Sequence, residues 1–184
     1  MGKVLAGITM SLDGFINDCN GDVSQLYSDF ATLRETEVLQ EAIITTGAVV
    51  MGRRAYDMAE GDFTGYEFQA PIFVLTHHVP EKAPKGENER LSFTFVTEGI
   101  ESAIEKAKTA AGDKDVTVIG GADIVQQCLR AGLVEELQID IMPLLLGEGL
   151  RFFEHLAASQ IQLERIKVIE LPAGRTELCF RVIK

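Results

Sequence analysis

"VTVIGGADIVQQCLRAG", residues 116–132, holds the reading that decides the fold. It opens on a run rich in β-branched residues, as strands covered on both faces tend to be. Gly120 and Gly121 end the run, and Ile124, Val125, Cys128 and Leu129 then recur at the helical period as far as Gly132. A strand that turns through glycine into a helix is the building unit of a parallel α/β sheet. "AVVMGRRAYDMAEGDF", residues 48–63, has the same layout: an apolar run, Gly52, then Arg53 and Arg54. Two arginines at the end of a buried strand call for an anion.

Working outward, the runs at 3–10, 71–76 and 92–96 read as further strands. In "GIESAIEKAKTAAG" (99–112), Ile100, Ala103, Ile104, Ala107 and Ala111 follow the helical period, and Gly112 closes the helix. Leu26, Phe30, Leu33, Leu39 and Ile43 predict one more helix over 24–45. The last third changes character. "LVEELQIDI" (133–141) sets Leu137, Ile139 and Ile141 against Glu136, Gln138 and Asp140, a period of two. "TELCFRVI" (176–183) repeats it with Leu178, Phe180 and Val182 on one side. "IQLERIKVI" (161–169) alternates too, with a phase change between Leu163 and Ile166 that predicts a bulge. The expected fold is α/β: a mostly parallel sheet finished by an antiparallel C-terminal ribbon.

With 184 residues, 46% of them apolar and 24% charged, the chain fits one globular domain over 1–184. "HHVPEKAPKGENER" (77–90) reads as a surface loop rather than a linker. The apolar runs are too short to cross a bilayer, and the first residues lack a signal-peptide layout. Cys19, Cys128 and Cys179, an odd count without close pairing, suit a reducing cytoplasm. A net charge of −11 argues against nucleic acid or an anionic membrane as partner.

Both glycine corners have a chemical use. A helix N-terminus offers unpaired N–H groups and partial positive charge, and glycine lets a pyrophosphate approach the backbone. In open parallel sheets the ligand lies beyond the carboxyl ends of the strands, where both corners belong.

"ITMSLDGFI", "VVMGRRAY", "IFVLTHH" and "VIGGADI", in this order and spacing, resemble the dihydrofolate-reductase-like superfamily. "MPLLLGEGLRFF" (142–153) is similar to the branch containing the reductase domain of bifunctional riboflavin-pathway deaminase-reductases and its stand-alone relatives. The resemblance covers about residues 3–183 and implies a three-layer fold with a twisted, mostly parallel sheet and an antiparallel C-terminal hairpin. It implies NADPH as cofactor. Gly52, Arg53 and Arg54 would start the helix that meets its phosphates, and Thr76 and His77 match the adenosine-phosphate contacts. Gly120, Gly121, Ala122, Asp123 and Ile124 match the loop at the pyrophosphate and nicotinamide side, and Ile8, Thr9 and Ile16 flank the nicotinamide. Ala55 stands where folate reductases usually carry threonine.

On the substrate side, folate reductases place a carboxylate on the first helix, and Glu37 stands near that position. Asp13 in "SLDGF" and Glu148 in "LGEGL" are the other candidate acids, and Asp29 reads as a helix-stabilising residue. A phosphoribosyl substrate would need a basic residue such as Arg151. His77, His78 and His155 show no metal-ligand spacing, and the zinc-deaminase, G-x-S-x-G and P-loop signatures are absent. The expectation is a cytoplasmic NADPH-dependent reductase of a small heterocycle, similar to the riboflavin-pathway phosphoribosylaminouracil reductase domain and, like many relatives, a homodimer. A dihydrofolate reductase proper and a non-catalytic nucleotide- or ligand-binding module are the rivals.

Overall fold

Each apolar run of the sequence becomes a strand in the computed structural model, which describes residues 2–154, 156 and 161–183. The strands are β1 (Val4–Ser11), β2 (Thr46–Gly52), β3 (Ile72–Leu75), β4 (Phe93–Val96), β5 (Asp115–Ile119), β6 (Glu136–Met142), β7 (Gln162–Glu170) and β8 (Thr176–Ile183). They form one eight-stranded sheet in the order β4-β3-β2-β5-β1-β6-β8-β7. The pairings from β4 to β6 are parallel, and β6–β8 and β8–β7 are antiparallel. The bulge expected between Leu163 and Ile166 is a register shift at Arg165/Lys167.

Alternation along the strands builds two faces. Val4, Ala6, Val50, Val116, Val118, Leu137 and Ile139 point to one side. There they meet α4 (Ile100–Ala111) and α5 (Ala122–Arg130) through Ala103, Ile104, Ala107, Ile124 and Val125. Fully burying a side chain such as Ile104 is worth about 1.5–3 kcal/mol, so this layer anchors the sheet. On the opposite face the β2–β3 half is covered by a second cluster, with Val49, Met51, Ile72 and Val74 under Tyr56, Phe63 and Phe68. The β5-β1-β6-β8 half of that face is not filled by core.

The helix expected over 24–45 is instead three pieces: a 3-10 turn Ser24–Tyr27, α1 (Phe30–Leu33) and α2 (Glu37–Thr45). Thr36 makes the break. It is extended, its Oγ1 accepts from the Leu39 N–H at 3.3 Å, and its hydroxyl donates to the Leu33 carbonyl at 2.7 Å. That is an N-cap, which starts a new helix rather than continuing an old one. The remaining helix, α3 (Arg53–Met58), follows β2 at the first glycine corner. No helix among the described residues is long and apolar enough to cross a membrane.

Candidate functional site

The uncovered half of the sheet is the floor of a cleft of about 520 Å³. Gly7 and Thr9 of β1, Thr117 and Ile119 of β5, Gln138 and Asp140 of β6, and Glu177 and Cys179 of β8 face it. Tyr27, Phe30, Leu33, Leu39, Tyr66 and Phe68 supply apolar and aromatic walls. The polar phase of β6 and β8 therefore faces an internal cleft, while Leu178 and Phe180 pack on the helix-side core. The thiols of Cys128 and Cys179 are each pushed up to about 12 by burial, so neither is a nucleophile at neutral pH.

A fully buried arginine ties the cleft together. Arg175 follows the Pro172–Gly174 turn between β7 and β8, where Ala173 and Gly174 take positive φ of 59° and 75°. All five of its N–H groups are donated. Nε and one Nη2 hydrogen go to the two Asp29 carboxylate oxygens at 3.1 and 2.6 Å, and Nη2 also reaches the Leu26 carbonyl at 2.9 Å. Nη1 donates to Thr9 Oγ1 at 3.0 Å and Asp140 Oδ2 at 3.2 Å. Hydrogen bonding from Arg175 holds the Asp29 carboxyl below its usual range. Asp140 moves the other way, up to about 6, first through burial and then through the charge of Glu177, with Arg175 opposing. Strand register explains the coupling: Thr9 is the partner of Asp140, and Asp140 is the partner of Glu177. One rung across the sheet thus carries a hydroxyl and two carboxylates. Tyr27 stands over this rung as part of the cleft wall.

At its upper end the cleft meets the glycine corners. Ile119 lines it and the next residue is Gly120. Gly120 and Gly121 have φ of 69° and 79°, a region that disfavours side chains, and lead into α5 without a side-chain cap. The two corners touch. A Cβ on Gly52 would lie 2.7 Å from Ile124, and one on Gly120 would lie 3.2 Å from the Ala55 methyl. Glycine at these two positions therefore lets α3 and α5 pack side by side, and the nine-residue α5 presents its uncapped N-terminal N–H groups just beyond Gly121, the kind of helix start that suits a phosphate.

The other expected cofactor residues are spread over the cleft, the core and the end of β3. Ala122 and Ile124 are buried, whereas Asp123 is exposed and accepts from Gln127 at 2.6 Å. Ile8 reaches the cleft, and Ile16 is packed in the helix-side core. Arg53 spends Nε on Asp57 at 2.8 Å and Nη1 on the His78 carbonyl at 3.0 Å, linking α3 to the end of β3. Thr76 donates its hydroxyl to the same carbonyl at 2.8 Å. Arg54 and His77 are exposed beside them.

The three expected acids do not line the cleft. Asp13 is a staple: its carboxylate accepts from Ser11 Oγ at 2.5 Å and from the Leu146 and Gly147 N–H groups at 3.1 and 2.7 Å. These bonds, led by Ser11, hold it below the usual carboxylate range. Glu37 sits exposed in the first turn of α2, where it complements the helix dipole. Glu148 is exposed on the 142–150 loop, where it raises the neighbouring Cys19 thiol. Asp29 is a buried ion-pair partner rather than a simple helix-start charge. Arg151 lies 4.4 Å over the Phe15 ring and bonds the Asp13 carbonyl, outside the cleft. His155 lies outside the described residues, and among those described no cluster of histidine, cysteine or acid suits a metal ion. Sequence reasoning missed Arg175, Asp140 and Glu177. Asp140 and Glu177 share the polar phase of adjoining strands, which the alternation of β6 and β8 does show; Arg175, in the turn before β8, carries no local signal.

Relatives of known structure share this architecture. A solved protein from Shewanella sp. PV-4, ascribed to riboflavin biosynthesis, superposes with a TM-score of 0.80 at 23% identity, covering 99% of each chain. Dihydrofolate reductase from Enterococcus faecalis, solved with NADP(H), reaches a TM-score of 0.66 at 14% identity over 100% of this chain and 98% of its own. Those likenesses define the fold as dihydrofolate-reductase-like. The Bacillus subtilis protein YyaP is 23% identical over 186 residues, 97% of this chain and 94% of its own. The family model of the RibD C-terminal domain matches residues 2–175, which hold β1 to β7, both glycine corners and all of the cleft lining except the β8 residues, and the chain belongs to that family.

Proposed function

We propose that this chain is an NADPH-dependent reductase of a small planar heterocycle. The observation that carries the reading is that the cleft floor runs up β5 to Ile119, the residue before the Gly120–Gly121 corner. Gly52, Gly120, Gly121 and the first turn of α5 would hold the pyrophosphate, with Arg53, Arg54, Thr76 and His77 at the adenosine end. Ile8 and Thr9, which line the cleft, would flank the nicotinamide, whereas Ile16, packed in the helix-side core, would act only from behind. A reduced nicotinamide supplies the hydride when bound. The protein's part is to hold the substrate carbon about 3–3.5 Å from it and to provide a proton. Asp140 takes that proton-donor role in place of Asp13, Glu37 or Glu148, because it alone of the four faces the cleft. A folate reductase proper is the weaker reading, since Glu37, the acid it would use, is exposed and outside the cleft.

Cofactor choice tests the reading. A charge-assisted contact from Arg54 or the free edge of Arg53 to a 2′-phosphate is worth about 1.5–3 kcal/mol, roughly ten- to a hundredfold in affinity. NADPH is therefore expected to bind that much more tightly than NADH in a fluorescence titration, with Arg54→Ala narrowing the gap. Equal affinity for the two cofactors would refute the assignment.

We also propose that the chain works as a homodimer. β7 is an edge strand whose Leu163, Ile166 and Val168 are 42%, 44% and 49% exposed, an apolar edge that a second copy would cover. Light scattering at micromolar protein is expected to give twice the chain mass. A monomer would remove the inference.

A further inference from the structure

The cleft carries a charge pattern that selects among heterocycles. Six carboxylates line it; Glu136 is paired with Lys3 and Asp115 accepts from the Lys3 N–H, which leaves Asp140, Glu177, Glu41 and Glu67 against the one lining ammonium among the described residues, Lys167. Arg175 does not redress the balance. Its guanidinium has no N–H left to offer, and its charge is met by Asp29 at 2.6 Å. Glu177 is 9% exposed and accepts from the Cys179 thiol at 3.1 Å through one oxygen only. Asp140 keeps its side chain one-fifth exposed. Arg151, the basic residue expected to hold a phosphate, is occupied elsewhere. An anion placed here would meet like charges in a partly desolvated space, which disfavours its binding.

Resting on the reading of this cleft as the substrate site, we infer that its substrate is an uncharged or cationic planar ring. Such a ring presents N–H donors to Asp140 and Glu177 and carries no phosphate. Tyr27, Phe30, Tyr66 and Phe68 give flat apolar surfaces for the ring, and the carboxylates give acceptors for its edge. Among the described residues a phosphoribosyl group would find only Lys167 to set against the surrounding carboxylates.

Three isosteric probes that differ in charge test this without turnover. Calorimetric titration of the NADPH-free protein is expected to rank benzamidine at least tenfold above benzamide, with benzoate weaker again. Raising the salt should compress the series. Glu177→Gln should cut the benzamidine preference several-fold. Glu41→Gln, on an exposed position of α2 where folding is not at stake, should cut it by a smaller factor. Benzoate or phenyl phosphate binding as tightly as benzamidine would overturn the inference. The cofactor titration is separate, so NADPH failing to bind while benzamidine still ranks first would remove the reductase reading and leave this one standing.

Discussion

Replacing Arg175 by methionine is expected to lower the free energy of unfolding by about 3–5 kcal/mol, the usual cost of removing one partner from a buried ion pair. The guanidinium side chain is 0% exposed and Asp29 only 5%, so water cannot take over for the lost donors. Leu26, Thr9, Asp29 and Asp140 would each lose a partner, and with them the tie between the turn before β8, β1, β6 and the Leu26–Asp29 segment. Urea titration at pH 7 measures the loss. The sign of its pH dependence follows from Asp29. In the wild type its carboxyl is held below the ordinary range, so its contribution is present above the unfolded carboxylate pKa and fades as pH falls through the folded one. In the variant the same carboxyl is buried without its partner and takes up a proton more readily. The gap between the two proteins should therefore shrink on acidification. Adding Asp29→Leu to the variant should restore part of the stability, because the uncompensated charge is then gone. A loss below about 1 kcal/mol would mean that the cluster does not hold the cleft together.

That cluster was not legible in the sequence, whereas the sheet around it was. β1 to β5 announced themselves through local β-branched runs, and both corners through a glycine at the end of a strand. Such signals need only a few neighbouring residues. Arg175 gains its role from partners 146, 166, 149 and 35 residues away, which no window reaches. The period of two in β6 and β8 correctly separated Leu137, Ile139, Leu178 and Phe180 from Asp140, Glu177 and Cys179. What the period of two could not tell is where that second set faces. β6 and β8 stand inside the sheet, and α1 and α2 lie over their polar side as the wall of the cleft. Local chemistry also misled at 24–45. The apolar spacing there is helical throughout, but Thr36 caps a new helix and Asp29 is drawn to Arg175. Asp13 drew attention as a carboxylate in an Asp-Gly turn. Its bonds to Leu146 and Gly147 make it the clasp of a loop 133 residues away.

Changing Asp140 to asparagine is expected to lower kcat by about 10²- to 10⁴-fold, the range associated with a positioned general acid. Reduction of a ring C=N by hydride leaves charge on nitrogen that a proton must neutralise. Asp140 faces the cleft on the same rung as Thr9, which flanks the proposed nicotinamide position. Burial and the facing Glu177 push its carboxyl up to about 6, so a useful fraction carries a proton near neutrality. Activity of the wild type should accordingly fall about tenfold per pH unit above that value, and the asparagine variant should be flat across the same range. Folding will not confuse the result. A carboxyl raised in the folded state binds more protons there than in the unfolded chain, so its ionisation costs stability progressively as pH rises from about 4 to about 6. Asparagine removes that cost and still offers an oxygen to Arg175 Nη1. The variant should therefore melt no lower than wild type at pH 7 and bind NADPH with unchanged affinity. Loss of kcat together with loss of cofactor binding would point to a collapsed cleft instead. An asparagine variant with full activity and the wild-type pH profile would take the proton-donor role away from Asp140.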